Sequence, residues 1–333
     1  MSRIRSAARS RSELPGAIGL VSLKRILVTG ATGFVGGAVV PELARLGDVV
    51  AVACRPVAGA ARTELVTDLA EPHDWRRLLD GVTDVVHLAA RVHVMRDDEA
   101  GAAATLRVNF EATRALATAS AEAGVGRFVF LSTVKVNGDS TAERPFTPDD
   151  MPRPIGAYAV SKHRAEEALA ALPGAMERVI LRPPLVYGPG VKGNFAALLR
   201  LCRAGLPLPL GAVANRRSLI AVENLASAIA ATVAAPPGEG TRRYLVRDGE
   251  DLSTGDLVRR LAAAMDRRGR LVPIPPSWLE GALRIAGGAE LAERLLHSLQ
   301  VDDSAFRRDY RWQPPATVDA ALAATARAYL AGR

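Results

Sequence analysis

The residues best suited to chemistry in this sequence are a tyrosine and a lysine four positions apart, Tyr158 and Lys162. The chain has only four lysines, at positions 24, 135, 162 and 192, so a chance pairing explains them poorly. On a helix the two side chains would share one face, and an ammonium beside a phenol favours the ionised phenol. We therefore expect Lys162 to lower the pKa of Tyr158, making it a proton donor and acceptor near neutral pH. A surface tyrosine packed on a lysine stem is the alternative.

A second pattern suited to chemistry is a set of glycines at 30, 33 and 36. They follow the apolar run 24–29 and precede a run of helical periodicity that extends to Leu46. Strand, glycine turn and helix in this order are typical of a dinucleotide-binding site, with the helix N-terminus facing the phosphates. An ordinary glycine-rich loop is the alternative.

Arg55 follows the next apolar run, residues 49–54. A site for NAD usually has Asp or Glu at this strand end, whereas an arginine accommodates the 2′-phosphate of NADP. We therefore expect NADP(H) in preference to NAD(H). A solvated loop arginine is the alternative.

Composition narrows the class of protein. The 333 residues are 49% hydrophobic, enough for one large or two closely joined α/β domains, and no apolar run is long enough to cross a membrane. The net charge of +8 is concentrated in residues 1–25, which hold six basic residues and one acid, so we expect no nucleic-acid partner. Cys54 and Cys202 suggest neither a disulfide framework nor a metal site, which fits a cytoplasmic protein.

Strand-like and helical runs alternate through the first half of the chain, with helices predicted at 75–79, 102–123 and 158–172. This alternation predicts an α/β fold with a doubly wound parallel sheet, the Rossmann architecture. We assign residues 1–23 to a disordered extension, 24–184 to a nucleotide-binding domain, and 185–333 mainly to a smaller mixed α/β lobe that binds substrate.

Six motifs occur in order along the chain: TGATGFVG (29–36), DL (68–69), HLAA (87–90), LST (131–133), YAVSK (158–162) and LRPPLVYGPG (181–190). Together they resemble the extended short-chain dehydrogenase/reductases, in particular the NAD-dependent epimerase/dehydratase family that modifies nucleotide sugars. The resemblance extends from about residue 25 to residue 329.

The resemblance implies roles for individual residues. Thr133, Tyr158 and Lys162 would be catalytic, and Thr133, Tyr158, Asn194 and Arg217 would bind a UDP-sugar. Tyr187 would border the nicotinamide, and Phe195 would meet the nucleotide. The cofactor would contact Gly30, Thr32, Gly33, Phe34, Val35, Gly36, Arg55, Asp68, Leu69, Ala89, Ala90, Tyr158, Lys162 and Pro183.

Simpler roles compete with several of these assignments. Asp68 and Asn194 could cap the helices that follow them, and Arg217 could be an exposed strand charge. We interpret Asn109 as a helix residue bonded to nearby backbone. His93 has no assigned role.

Three reactions at a sugar carbon are possible. A 4,6-dehydratase of this family carries Asp-Glu after the catalytic threonine, where this chain has Val134 and Lys135. A UDP-galactose-type 4-epimerase usually has an acid at the cofactor ribose and an asparagine where Leu185 stands. We therefore favour 4-keto reduction of a UDP-4-keto-6-deoxy-N-acetylhexosamine in polysaccharide synthesis, with 4-epimerisation of a UDP-hexose as the alternative.

A protein of another class, a regulator that senses NAD(P) without catalysis, is less consistent with the sequence. Such regulators commonly lose the Tyr/Lys pair, which this chain keeps together with Thr133. The resemblance also implies a homodimer, formed through the helices predicted at 102–123 and 158–172.

Overall fold

The computed structural model describes residues 24–71, 73–92 and 99–332. The predicted extension 1–23 and His93 lie outside these ranges.

A parallel seven-stranded sheet forms the centre of the molecule, in the order β3-β2-β1-β4-β5-β6-β9. A separate parallel pair is formed by β7 and β8. The strands are β1 (Lys24–Thr29), β2 (Gly47–Ala53), β3 (Arg62–Leu65), β4 (Asp84–His87), β5 (Arg127–Leu131), β6 (Glu177–Arg182), β7 (Leu185–Tyr187), β8 (Leu219–Ala221) and β9 (Thr241–Leu245).

Helices follow most strands, as right-handed crossovers between parallel strands require. A π-helical turn, Arg107–Glu111, joins α3 to α4, and a 3₁₀ turn, Val134–Val136, follows β5. The helices are α1 (Phe34–Leu43), α2 (Trp75–Leu78), α3 (Glu99–Leu106), α4 (Ala112–Glu122), α5 (Gly156–Ala171), α6 (Gly193–Ala204), α7 (Val222–Ala234), α8 (Thr254–Ala263), α9 (Pro276–Ile285), α10 (Ala289–Leu296), α11 (Ser304–Tyr310) and α12 (Val318–Ala331).

The central strands are apolar on both faces because helices cover both sides of the sheet. Ile26 and Val28 of β1 point into one hydrophobic cluster, which also contains residues of α1 and α7. Leu27, on the opposite face, packs in a second cluster with α2, α4 and α5 residues. The predicted α/β fold with a doubly wound parallel sheet is confirmed.

The two predicted parts of the chain are less separate than the boundary at residue 184 implies. After β6 the chain builds β7, α6 and β8, and then returns to the large sheet as α7 and β9. Residues 178–182 of β6 pair with residues 241–245 of β9. The seventh strand of the nucleotide-binding sheet therefore comes from the segment assigned mainly to the substrate lobe.

A buried arginine holds this returning segment in place. Arg127, at the start of β5, donates through Nε to Glu177 at 2.6 Å and through Nη1 to the Thr232 carbonyl at 2.6 Å. Further bonds reach the carbonyls of Ala235 at 3.0 Å and Pro236 at 2.7 Å. A single guanidinium therefore satisfies carbonyls at the C-terminal end of α7, where a positive charge also complements the helix dipole.

The helix predicted at 102–123 is not a regular α-helix, because the π-helical turn 107–111 interrupts it. In the described ranges 24–71, 73–92 and 99–332, no helix combines the length and the hydropathy needed to cross a bilayer.

Candidate active site

The glycine turn connects β1 to α1 at the carboxyl edge of the sheet. Gly30 has a φ of +71°, and a Cβ on it would lie 2.6 Å from the backbone nitrogen of Ala89. A Cβ on Gly36 would lie 2.3 Å from the Gly30 carbonyl oxygen. Gly30 thus permits both the turn and its close approach to the end of β4, and Gly36 lets α1 pack on the turn.

The turn suits a pyrophosphate. Thr32 and Val35 are half-buried, and Gly33 and Phe34 are exposed at the start of α1, whose first turn contains no acid. Free backbone N–H groups and the helix dipole favour an anion there. These residues therefore fit the dinucleotide that the sequence predicts.

Arg55 lies beside this turn. It is exposed two residues beyond the end of β2, and its neighbour Cys54 has its Sγ 3.7 Å from the Thr32 hydroxyl oxygen. Arg55 forms no ion pair or hydrogen bond with any residue that the structure describes. Its guanidinium is available to a phosphate, so its proposed role in cofactor choice stays a prediction.

Asp68 and Leu69 follow β3 on the same edge of the sheet. Asp68 Oδ1 accepts from Ala70 N at 2.9 Å, and Oδ2 accepts from Arg107 at 2.7 Å. The alternative that Asp68 caps the next helix is wrong, because Asp74 caps α2 by accepting from Arg77 N at 3.1 Å. Leu69 packs against the hydrophobic cluster under this edge.

Ala89 and Ala90, both half-buried, follow β4 next to the glycine turn. A buried polar chain holds this corner together. The Thr29 hydroxyl lies 2.6 Å from His87 Nδ1 and 3.4 Å from Ala89 N, and His87 Nε2 lies 2.9 Å from the Thr113 hydroxyl. Burial, with a smaller effect of the Lys162 charge, lowers the pKa of His87 to about 3. His87 is therefore neutral and rigidly bonded.

Thr133 lies just beyond β5. Its half-buried side chain caps the 3₁₀ turn by accepting from Lys135 N at 3.3 Å. Val134 N, in turn, donates to the carbonyl of the buried Pro183 at 3.0 Å. Thr133 and Pro183 are therefore linked through backbone at the ends of neighbouring strands.

Tyr158 and Lys162 lie in the first two turns of α5, as their spacing predicts. Lys162 is buried, and its Nζ donates to the Leu131 carbonyl at 2.8 Å and lies 4.5 Å above the Phe130 ring centroid. Leu131 is the last residue of β5, and Thr133 follows it two residues later. This bond therefore places the Lys162 ammonium at the strand end that leads to Thr133. The structure thus brings the helix of Tyr158 and Lys162 to the strand end that carries Thr133.

The pKa values differ from the sequence-based expectation. Burial raises the pKa of Tyr158 to about 12 and lowers that of Lys162 to about 7, the latter partly offset by the negative charge of Glu166. The expected lowering of the Tyr158 pKa by Lys162 was wrong for this state, because burial dominates and the lysine bonds to Leu131. Tyr158 therefore carries its proton at neutral pH, as a proton donor must.

Asn109 bonds to residues that are distant from it in the sequence. From the π-helical turn its Oδ1 accepts from Arg91 N at 2.7 Å, and its Nδ2 donates to the Arg91 carbonyl and the Ser161 hydroxyl at 3.1 Å each. Asn109 does bond to backbone, as interpreted, but the backbone is that of Arg91, 18 residues earlier, rather than that of its own helix. Asn109 instead ties the segment after β4 to α5 beside Lys162, and no motif in the sequence signalled this contact.

Tyr187 and Phe195 are packed in the core of the smaller part of the molecule. Both are buried and their ring centroids lie 5.4 Å apart in a stacked pair. The Tyr187 hydroxyl donates to Asp248 at 2.8 Å. Both side chains therefore contribute to packing, and their predicted contacts with nicotinamide and nucleotide stay predictions.

Asn194 is exposed in the first turn of α6, whose N-cap position is Lys192, so it is not the helix cap. Arg217 is half-buried rather than an exposed strand charge, and its Nη1 donates to the His297 carbonyl at 2.8 Å. Arg217 lies two residues before β8, which pairs in parallel with β7, and Pro183 lies two residues before β7. Arg217 and Pro183 thus lie at the same end of this small sheet.

The geometry defines a class of protein: a Rossmann-type α/β fold in which the glycine turn, Thr133 and the helix of Tyr158 and Lys162 lie at the carboxyl edge of the parallel sheet. Residues 26–246 match the profile of the NAD dependent epimerase/dehydratase family. The chain belongs to this family, as the motifs predicted.

Comparison with individual relatives supports a nucleotide-sugar enzyme. The chain is 40% identical over 315 residues to a UDP-glucose 4-epimerase of Vibrio cholerae, spanning 92% of this chain and 96% of the relative. It is 36% identical over 180 residues to a dTDP-4-dehydrorhamnose reductase of Burkholderia thailandensis, 54% of this chain and 56% of that protein. The solved structure of MoeE5 in complex with UDP-glucose and NAD superposes with a TM-score of 0.73 at 27% identity, covering 92% and 99% of the two chains.

Proposed function

We propose that the protein acts at C4 of a UDP-hexose and that its reaction is 4-epimerisation, with UDP-glucose or UDP-N-acetylglucosamine as substrate. The observation that carries this proposal is the 40% identity to a UDP-glucose 4-epimerase along 96% of that relative. The similarity covers both the sheet that would hold the cofactor and the smaller part that would hold the sugar nucleotide. The motifs alone favoured 4-keto reduction over 4-epimerisation, and this comparison reverses that preference.

The side chains suit acid–base chemistry at one sugar oxygen. Tyr158, once it has lost its own proton to solvent, would take the proton of the C4 hydroxyl as the carbon is oxidised and return it as the carbonyl is reduced. Thr133 would hold the same oxygen by a hydrogen bond. Lys162, near its own pKa at neutral pH, would stabilise the phenolate while Tyr158 lacks its proton.

A bound nicotinamide dinucleotide would accept and return the hydride at C4, a redox step that no side chain supplies. The glycine turn would hold its pyrophosphate, and Arg55 would be available to its ribose. Arg217 would grip the diphosphate of the substrate, for which a guanidinium fork is well suited. Asn194 would contact the nucleotide from the start of α6.

Reduction of a UDP-4-keto-6-deoxy-N-acetylhexosamine is the second candidate, and Arg55 favours it. An exposed arginine at the end of β2, where NAD sites usually carry an acid, suits NADP(H). A reductase binds its cofactor in the reduced form and releases it in the oxidised form. A protonated Tyr158 is also the proton donor that ketone reduction needs. Dehydration has less support, because buried Val134 and exposed Lys135 follow Thr133 in place of Asp-Glu.

The two candidates separate in one set of reactions. Purified protein is first denatured and the released nucleotide identified by mass spectrometry. UDP-glucose, UDP-galactose and their N-acetyl analogues are then incubated with native protein without added cofactor, and the sugars are followed by NMR. Interconversion supports the epimerase. If the sugars do not interconvert but NADPH is oxidised on addition of the UDP-4-ketosugar, the protein is the reductase and the epimerase proposal is rejected. If neither reaction occurs, chemistry at C4 is rejected for these substrates.

Formation of a homodimer through α4 and α5 stays a prediction. Size-exclusion chromatography with light scattering would test it.

A further inference from the structure

A fully buried carboxylate, Glu166, lies one helical turn beyond Lys162 and has no part in the chemistry described so far. Its Oε1 accepts from the Ser132 hydroxyl at 2.5 Å and from Arg182 Nε at 3.0 Å. Its Oε2 accepts from Arg182 Nη2 at 2.6 Å. Arg182 is itself buried and donates through Nη1 to Asn137 Oδ1 at 3.0 Å.

The partners of Glu166 are the immediate neighbours of candidate active-site residues. Ser132 precedes Thr133 at the end of β5, and Arg182 precedes Pro183 at the end of β6. One carboxylate therefore bonds to both strand ends from α5, the helix that carries Tyr158 and Lys162. A shift of Glu166 would change the position of Thr133 relative to Tyr158.

Glu166 also influences the charge state of Lys162. The ammonium lies over the Phe130 ring of β5, near neutral His87 of β4, and on the same helix as Tyr158. Glu166 is the negative charge that acts on it, and raises its pKa against the effect of burial. The other charges facing Glu166 are positive: Arg182 on β6, and Arg243 on β9 at 3.6 Å.

We propose that Glu166 is a positioning residue of the active site, which fixes Ser132 and Thr133 against α5 and favours the charged form of Lys162 one helical turn away. This inference rests on the proposed function for its effect on catalysis. Its effect on Lys162 can be measured without any substrate.

The electrostatic part is tested by NMR titration of protein labelled with ¹³C at the lysine side chains. Only four lysines are present, so Lys162 can be assigned with Lys→Arg variants of the other three. We expect Glu166→Gln to lower the Lys162 pKa by about one unit. Combining it with Arg182→Met, which avoids an unpaired buried cation, should lower the pKa less, because the lost positive charge opposes the lost negative one. An unchanged Lys162 pKa would overturn this part of the proposal.

A matched control uses the other buried pair, Arg127 and Glu177, which lies at the opposite end of β5 and β6. Glu177→Gln with Arg127→Met should lower stability but leave the Lys162 titration unchanged. If it moves the Lys162 pKa as far as the Glu166 variants do, the effect is a general loss of packing and the proposal fails.

The positioning part is tested in the holoenzyme with Ser132→Ala, which removes one hydrogen bond and no charge. We expect kcat to fall about 3- to 10-fold at every pH with KM nearly unchanged, whereas in the Glu166→Gln proteins the alkaline loss of kcat should begin at lower pH. Unchanged kcat in Ser132→Ala with an unshifted profile in Glu166→Gln would overturn the role in catalysis. An inactive wild-type protein whose Lys162 pKa still responds to Glu166 would refute the proposed function but not the charge effect.

Discussion

Tyr187 donates a 2.8 Å hydrogen bond to Asp248 within the core, whereas Tyr158 keeps part of its surface exposed at the edge of the large sheet. Two phenols that both occur in family motifs therefore have different environments. Asp248 also accepts from Ala221 N at 3.0 Å and from Asn224 Nδ2 at 2.7 Å. Tyr187 thus belongs to a satisfied polar cluster, whereas Tyr158 retains surface that a ligand could contact.

Replacing the two tyrosines separately tests this difference. Tyr158→Phe should lower kcat by about 10²- to 10⁴-fold, because the proton donor is lost, with cofactor binding intact. Tyr187→Phe should instead lower the free energy of unfolding by about 1–3 kcal/mol, because a buried carboxylate loses a donor. Turnover and urea unfolding are measured for both proteins. Equal losses of kcat would contradict the assignment of Tyr158 as the proton donor.

Cofactor choice is tested at Arg55. We expect Arg55→Ala to weaken NADPH binding about tenfold while changing NADH binding little, because only NADPH places a phosphate near the guanidinium. Fluorescence titration gives both dissociation constants. Arg76→Ala, at another exposed arginine, is the control and should change neither constant. An unaltered ratio in Arg55→Ala would remove the observation that favours the reductase.

The buried His87 predicts a pH dependence of stability. Its pKa is lowered to about 3 in the folded protein, so between that value and the unfolded value near 6.5 the unfolded state binds the additional proton. The free energy of unfolding should therefore fall with decreasing pH, by about 2 kcal/mol from this residue between pH 7 and pH 5.

Urea unfolding of wild-type protein and His87→Gln at these two pH values measures the difference. His87→Gln should be less stable at pH 7 but should lose less stability on acidification. Leu116→Ala, at a buried apolar position of α4, is the control: it removes no titratable group, so it should lower stability but keep the wild-type pH dependence. The same slope in His87→Gln as in wild type would contradict the assignment.

Substrate binding is tested at Arg217. Arg217→Ala should raise KM for the UDP-sugar about tenfold or more with a smaller change in kcat, because the diphosphate is held equally in the ground and transition states. Arg216→Ala, its exposed neighbour, should leave KM unchanged. Because Arg217 also bonds to His297, circular dichroism must first show that the variant is folded. Similar KM values for the two variants would exclude Arg217 as the diphosphate ligand.

The sequence predicted the features that arise from local patterns. Glycine spacing, apolar runs and the Tyr/Lys pair are short-range signals. In the structure the apolar runs form strands, the glycines form a turn, and Tyr158 and Lys162 lie on one helix. The run 24–29 before the glycines, for example, is strand β1. The family resemblance added the order of the motifs and was confirmed by the profile match.

Long-range contacts could not be predicted in this way. Asn109 and Ser161 are separated by 52 residues, and the Ser132, Glu166 and Arg182 cluster joins three elements. The pKa of Tyr158 was misjudged for the same reason, since spacing along a helix gives the neighbour but not the burial. The bond from Tyr187 to Asp248, 61 residues away, is a long-range contact of the same kind.

The late return of the chain to the sheet has a consequence for synthesis on the ribosome. When residue 184 has just emerged, β6 still lacks its outer neighbour, which is some 60 residues away in sequence. Such an open strand edge is a template for wrong pairing with other nascent chains. The Arg127 side chain would at that stage also lack the helix-end carbonyls that it later binds. Truncation at this boundary should therefore yield an insoluble fragment rather than an autonomous nucleotide-binding domain.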